Sequence, residues 1–334
     1  MRLALKIAER RTGLTFMHRR MRTRLWTAIT IGLVAALAAC GGGDGGGDKA
    51  AQASSTPVVT PEISPVPLET GDAASESPFA SAAAPESVAE GYGLVWSDEF
   101  AGTELGPDWK FRPILAANRA CSPPDEGQTE VRDGSVHLSV IRDPSKTPNV
   151  TKACPDGQYL NAMIGTDTTQ SFTYGIFAAR IKFHPVQGAH GSFWMQPRSA
   201  PGADPADPFE KGVEIDVIEY FGKGWVNGGL ASFIHFQPPG EKRIRSGGYL
   251  KAASDALKGE LPSDDYHVYS VEWTEKEYVF RVDGIETLRT SKAVSGVPQF
   301  FILSLLSSDY EIPKITDDVL PLTMSVDWVR AWQK

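Results

Sequence analysis

Glu214, Asp216 and Glu219 are threaded through Val213, Ile215, Val217, Ile218, Tyr220 and Phe221. Those apolar neighbours are strand formers that sit half buried. A carboxylate is costly to bury without a partner, so three acids in six residues of such a strand serve stability poorly. They suit proton chemistry. On a regular strand residues i and i+2 share a face; Glu214 and Asp216 therefore point the same way, and Glu219 points the other way. One β-bulge between Asp216 and Glu219 returns the third acid to the common face, and bulges are frequent beside active sites. Two carboxyl groups about 5–5.5 Å apart are the machinery of retaining glycoside cleavage. One attacks the anomeric carbon; the other protonates the leaving oxygen and then activates water. Asp216, between them, can keep a partner protonated by repulsion and hydrogen bonding. The competing reading is a solvated edge strand with its charges in water, which leaves the flanking aromatics unexplained.

Such acids need a rigid frame, and from Tyr92 to Trp332 the pattern is one of strands. Leu94-Val95-Trp96-Ser97-Asp98-Glu99-Phe100 opens it. Val136, Leu138 and Val140 alternate with polar positions after the Asp133-Gly134 turn. Phe177, Ala179, Ile181 and Phe183 alternate after Tyr174-Gly175. Tyr278, Phe280 and Val282 run into Asp283-Gly284, another hairpin signal. The unbroken run Phe300 to Leu306 fits a strand buried on both faces, and Met324, Val326, Trp328, Arg330 and Trp332 close the pattern. Short strands with frequent Gly and Pro turns indicate an all-β fold, an antiparallel β-sandwich. Residues 92–334 suffice for one such domain.

Two more stretches carry candidate site residues. Gly191-Ser192-Phe193-Trp194-Met195-Gln196-Pro197 precedes the acids by one strand. Trp194 is either a stacking ring for the C–H face of a sugar or a core indole. Ser232-Phe233-Ile234-His235-Phe236 follows the acids, and His235 is either a carboxylate partner or a satisfied core histidine. Tyr220 and Trp225 are further cleft candidates.

With His267 to Trp273, Arg281-Val282-Asp283-Gly284 and Ser325 to Arg330, these segments resemble glycoside hydrolase family 16, whose signature is Glu-x-Asp-x-x-Glu in the bulged form. The likeness is to its laminarinase-like branch. It implies a concanavalin A-like jelly roll of two curved sheets with a glycan cleft on the concave one. It also implies Glu214 as nucleophile, Asp216 as assisting acid and Glu219 as acid/base; spacing alone does not say which glutamate attacks. The chain departs from the family's pattern at three places. His190-Gly191 stand where a Trp-Pro is usual, Ser304 where many members carry Asn, and Ser307-Ser308 near a Gly-Gly. Some members hold a structural calcium between the opening and closing strands. Glu99 and Asp327 are the oxygens on offer here; no other cofactor is expected.

The front of the 334-residue chain reads as an address. A basic segment with Arg10, Arg11, Arg19, Arg20, Arg22 and Arg24 leads into an apolar run from Leu25 to Ala39, too short to favour a membrane span. Residues 1–39 are therefore expected to be a secretory signal. Leu37-Ala38-Ala39-Cys40 looks like a bacterial lipobox, with Cys40 the lipidated residue. Residues 40–91 open as GGGDGGGD and continue in Ala, Ser, Pro, Thr and Glu. They bury too little to offset their ordering entropy and are expected to form a tether. The formal charge is −8, and residues 1–39 contribute +7, which leaves −15 without them. That balance argues against nucleic acid, whose binding needs clustered cations, and suits a neutral glycan. Of the three cysteines, Cys121 and Cys154 remain to pair in an exported protein.

The expectation is a bacterial lipoprotein outside the cell, anchored to the membrane only through its lipid and acting as a monomer. It would be a retaining endo-β-glycosidase of polysaccharide, best of β-1,3- or mixed β-1,3/1,4-glucan. The alternatives are a hydrolase or transglycosylase of another β-glycan such as galactan, and a glycan-binding lipoprotein without catalysis. Retention of both Glu214 and Glu219 favours the enzyme.

Overall fold

The computed structural model describes residues 91–114, 116–198 and 202–334. The leader, Cys40 and the tether up to residue 90 lie outside the described residues. The strands are β1 (Gly93–Asp98), β2 (Lys110–Phe111), β3 (Thr129–Arg132), β4 (Ser135–Arg142), β5 (Tyr159–Leu160), β6 (Ala162–Gly165), β7 (Gly175–Lys182), β8 (His190–Pro197), β9 (Glu214–Tyr220), β10 (Leu230–Phe236), β11 (Ile244–Tyr249), β12 (His267–Trp273), β13 (Tyr278–Val282), β14 (Ile285–Thr290), β15 (Gln299–Leu306) and β16 (Leu322–Gln333). One sheet runs β11-β10-β9-β8-β15-β6-β2. The other runs β14-β13-β12-β7-β16-β4-β3, with β1 added on β16 and β5 on β4. The fold is the antiparallel β-sandwich that the alternation of apolar residues predicts.

The core lies between the sheets. Phe177, Ala179 and Ile181 of β7, Leu138 of β4 and Met324 of β16 share one buried cluster with Phe193 and Met195 of β8, Ile215 of β9 and Phe301, Leu303 and Leu305 of β15. Phe301 is a hub, with ring centroids of Trp96, Phe172, Phe177 and Phe193 at 5.5, 5.1, 5.6 and 5.6 Å. Truncating such a ring to Ala costs about 3–5 kcal/mol. The β15 run is buried on both faces because Phe300, Ile302 and Leu306 pack on the other side against Met163 and Trp194.

Both Asp-Gly turns are tight hairpins. Asp133 and Gly134 have φ of 52° and 72°, and Asp283 and Gly284 have 48° and 78°. Two successive positive φ values define the turn that matches strand twist, and Asp-Gly reaches them cheaply. Two short helices, Pro208–Lys211 and Lys251–Ala256, interrupt the strand pattern. In the first, Asp207 caps the Phe209 amide and Pro208 occupies the first turn, where its missing N–H costs nothing.

Candidate active site

β9 carries the three acids, and its register shifts against both neighbours between Asp216 and Glu219. On β8, Phe193 faces Ile218 while Trp194 faces Asp216, so Val217 is the extra residue. On β10, Ala231 faces Glu219 and Phe233 faces Asp216. The Ser232 hydroxyl donates to the Val217 carbonyl at 2.8 Å and stitches the bulge down. Glu214, Asp216 and Glu219 thereby line one cleft of about 350 Å³, together with Trp194 and His235.

Each acid has a different setting. Glu214 accepts from Arg243 Nη2 at 2.9 Å on Oε1 and from Gln196 Nε2 at 3.2 Å on Oε2. Donors on both oxygens fit a carboxylate held ready as a nucleophile. Asp216 is buried, and His235 Nε2 lies 3.3 Å from its Oδ2. Burial first, and then the charge of Glu214, push the Asp216 carboxyl well above the usual range. Burial and the Arg243 charge push His235 down to about 4, so its ring is neutral. Glu219 sits partly open to the cleft. Burial, followed by the Asp216 charge, pushes it up to about 8. Three carboxyls in one cleft thus carry fewer than three charges, and Glu219 holds a proton at neutral pH.

Trp194 faces Asp216 across the ladder. Its indole N–H donates to Ser304 Oγ at 3.1 Å, and the half-buried ring borders the cleft over Met163, Ile302 and Leu306. It is therefore not the alternative core indole.

Two expected cleft residues are not among those that line the cleft. Tyr220 is fully buried between the sheets, its ring 5.4 Å from that of Phe183. It follows Glu219 directly, and adjacent strand residues point to opposite faces. Trp225 is half buried and packs with Tyr249 against Phe221, Ala231 and Phe233. Phe221 stacks on it with centroids 5.3 Å apart, and Lys314 Nζ stands 4.6 Å over it.

The pair offered for calcium, Glu99 and Asp327, is ion-paired with arginines. Glu99 accepts from Arg330 Nε and Nη2 at 2.9 and 2.8 Å, and Asp327 accepts from Arg180 at 2.6 Å. Among the described residues Glu214, Asp216 and His235 form the one group of three such side chains whose ligand atoms all approach within 4.8 Å of one another. The Arg243 guanidinium already supplies positive charge there. Cys121 and Cys154 are joined in a disulfide with Cα atoms 5.7 Å apart.

Sequence reasoning missed Arg243, Arg119, Gln196 and Glu311. Gln196 was within reach, since it lies two residues from Trp194 on the same strand face. The others come from loops and carry no local signal.

Residues 127–329, more than half of the chain, match the family described as glycosyl hydrolases family 16. The chain belongs to that family. Within family 16 it is 26% identical over 274 residues to a glucan endo-1,3-beta-glucosidase of Niallia circulans, covering 73% of this chain and 38% of the relative. It is 25% identical over 242 residues to the endo-1,3-1,4-beta-glycanase EglC of Rhizobium meliloti, covering 71% and 46%. The chain spans less than half the length of these relatives. The laminarinase catalytic domain of Thermotoga maritima shares the fold, with a TM-score of 0.57 and 20% identity over 73% of this chain and 98% of that one. The matched family 16 segment contains the three acids, Trp194 and His235, whereas Arg119 and Cys121 precede it.

Proposed function

We propose that this protein is a retaining endo-β-glycosidase of β-1,3- or mixed β-1,3/1,4-glucan. The observation that carries the reading is the pairing of Glu214, held by two donors, with a protonated Glu219 on the same cleft face, Asp216 between them. Glu214 attacks the anomeric carbon. Glu219 gives its proton to the departing glycosidic oxygen, and then, as a carboxylate, takes a proton from the water that releases the glycosyl-enzyme. As negative charge leaves Glu214 in the covalent intermediate, Glu219 ionises more readily. This exchange of charge suits its second role. Asp216 and neutral His235, 3.3 Å apart, brace the acids' orientation. Trp194 offers its ring to a sugar face.

The glucan preference rests on the likeness to the two β-glucan-cleaving relatives. We extend the proposal to the cell address. The basic leader, its apolar run and Leu37-Ala38-Ala39-Cys40 support export with a lipid on Cys40, the tether holding the domain away from the membrane. A polysaccharide panel with product analysis tests the activity. NMR of the anomer first released tests retention: the β-anomer is expected, and net inversion removes Glu214 as nucleophile. Cys40→Ser is expected to release the protein from membranes, and unchanged membrane fractionation of that variant overturns the anchor.

A further inference from the structure

Arg119 has a cleft position and unspent hydrogen-bonding capacity. It lines the same hollow as Glu219 and His190. A guanidinium carries five N–H donors. The one hydrogen bond found for it among the described residues runs from Nη2 to His190 Nε2 at 3.4 Å, which is long and weak. It makes no ion pair among the described residues, and its buried Nε has no partner.

What holds it is more elaborate than what it holds. His190 Nδ1 lies 2.8 Å from Glu311 Oε2, and both residues are buried. A neutral His190 whose Nδ1–H donates to the carboxylate would present Nε2 to Arg119 as an acceptor. The Ser308 amide also donates to Glu311, at 2.9 Å. Burial alone raises the Glu311 carboxyl, but His190 and the Ser308 amide outweigh it and hold it below the usual range. The turn that carries Arg119 is tied down on both sides. The Asn118 carbonyl accepts from the Asp309 amide at 2.8 Å, and the Cys121 carbonyl accepts from the Tyr159 amide at 2.8 Å. Ser122 Oγ donates to the Ser307 carbonyl. The Cys121–Cys154 disulfide closes the turn two residues beyond Arg119.

A buried His–carboxylate pair and a cross-linked turn are a large investment for one arginine that forms no ion pair. We propose that Arg119, braced by His190 and Glu311, is a subsite for a neutral sugar next to Glu219. Vicinal hydroxyls accept two N–H groups from one guanidinium edge. The sugar is neutral because Glu311 and Asp309 already surround the arginine with opposite charge, leaving no excess to attract an anion. His190 and Glu311 are positioning residues, and Arg119 is the group that touches substrate. The inference rests on the β-glucan reading and adds to it a specificity contact outside the family-matched segment.

The test is a length series of reducing-end-labelled β-1,3-linked glucose oligosaccharides, read as kcat/KM and as cleavage-bond frequency. The unmodified enzyme is expected to gain sharply in kcat/KM at the length that fills the Arg119 subsite. Arg119→Ala is expected to lose about 10- to 100-fold at that length and beyond, to lose several-fold less on the shortest cleaved substrate, and to move the cleaved bond along the chain. Glu311→Gln keeps the shape and should reproduce a smaller part of the same length-dependent loss. A fall of equal size at every length, or none, overturns the subsite. An unmodified enzyme that ignores the whole series, but cleaves another β-glycan of the panel, overturns the glucan reading instead. The same two variants on oligosaccharides of that glycan then decide the subsite by the same criterion.

Discussion

Arg243 Nη2 donates to Glu214 Oε1 at 2.9 Å and so ties the connection between β10 and β11 to the acid strand across His235. Arg243 is half exposed, its side chain 51% accessible, so the pair adds little to stability. Its effect falls on Glu214, the proposed nucleophile. Arg243→Ala is expected to lower kcat/KM about tenfold, equivalent to one charge-assisted hydrogen bond, and to leave the melting temperature within about 2 °C. Steady-state kinetics beside thermal unfolding checks both; full activity with a lowered melting temperature refutes the assignment.

The acids should separate by rescue chemistry. Glu214→Ala is expected to abolish turnover, and azide to restore part of it with inverted product, since the anion takes the vacated place. Glu219→Ala should keep activity on aryl glycosides with good leaving groups, which need no acid. Asp216→Asn should lower the rate and spare glycan binding. Azide rescue of Glu219→Ala before Glu214→Ala, followed by product NMR, exchanges the two roles.

The proton on Glu219 has a pH signature. Folded, it titrates near 8; its usual value, and so that of the unfolded chain, is 4.5. Between these values the folded state binds more protons than the unfolded one, so this group's contribution makes stability fall as pH rises from about 4.5 to 8. The alkaline limb of kcat/KM is expected near 8 for the same reason. Glu219→Gln should flatten the stability decline over that window while losing turnover on natural substrate. Melting curves from pH 5 to 9 provide the comparison, and an equal slope in both proteins contradicts it.

Tyr220 belongs to the core, and among the described residues its buried hydroxyl has no hydrogen-bond partner. Burial pushes the phenol up to about 12. Tyr220→Phe removes an unsatisfied polar group, so stability is expected to hold or rise by about 1 kcal/mol, with kinetics unchanged. A tenfold loss of kcat/KM returns Tyr220 to the cleft.

The Cys121–Cys154 bridge closes a sequence separation of 33 residues. The double Cys→Ser variant is expected to lose about 3–4 kcal/mol by chain entropy. Denaturant unfolding measures this directly, and a loss below about 1 kcal/mol means that the local hydrogen bonds hold the turn without it.

The sequence by itself determined the sandwich, because side-chain alternation is a local property and Asp133-Gly134 and Asp283-Gly284 permit few other turns. It also determined the three acids: their spacing on an apolar strand required a bulge, and the register of β9 supplies one. It singled out the Cys121 and Cys154 pair by elimination. Tertiary structure decided what touches these residues. Tyr220 and Trp225 have the composition of cleft residues, but parity turns the first inward and Phe221 with Lys314 covers the second. Glu99 and Asp327 have the composition of calcium ligands, yet sheet order sets Arg330 and Arg180 against them. Arg243, Arg119 and Glu311 lie 29, 95 and 97 residues from Glu214 in sequence, and no period links them to it. Loop paths and sheet pairing bring Arg243 and Arg119 to one cleft and set Glu311 behind His190, and burial there raises the Asp216 and Glu219 carboxyls.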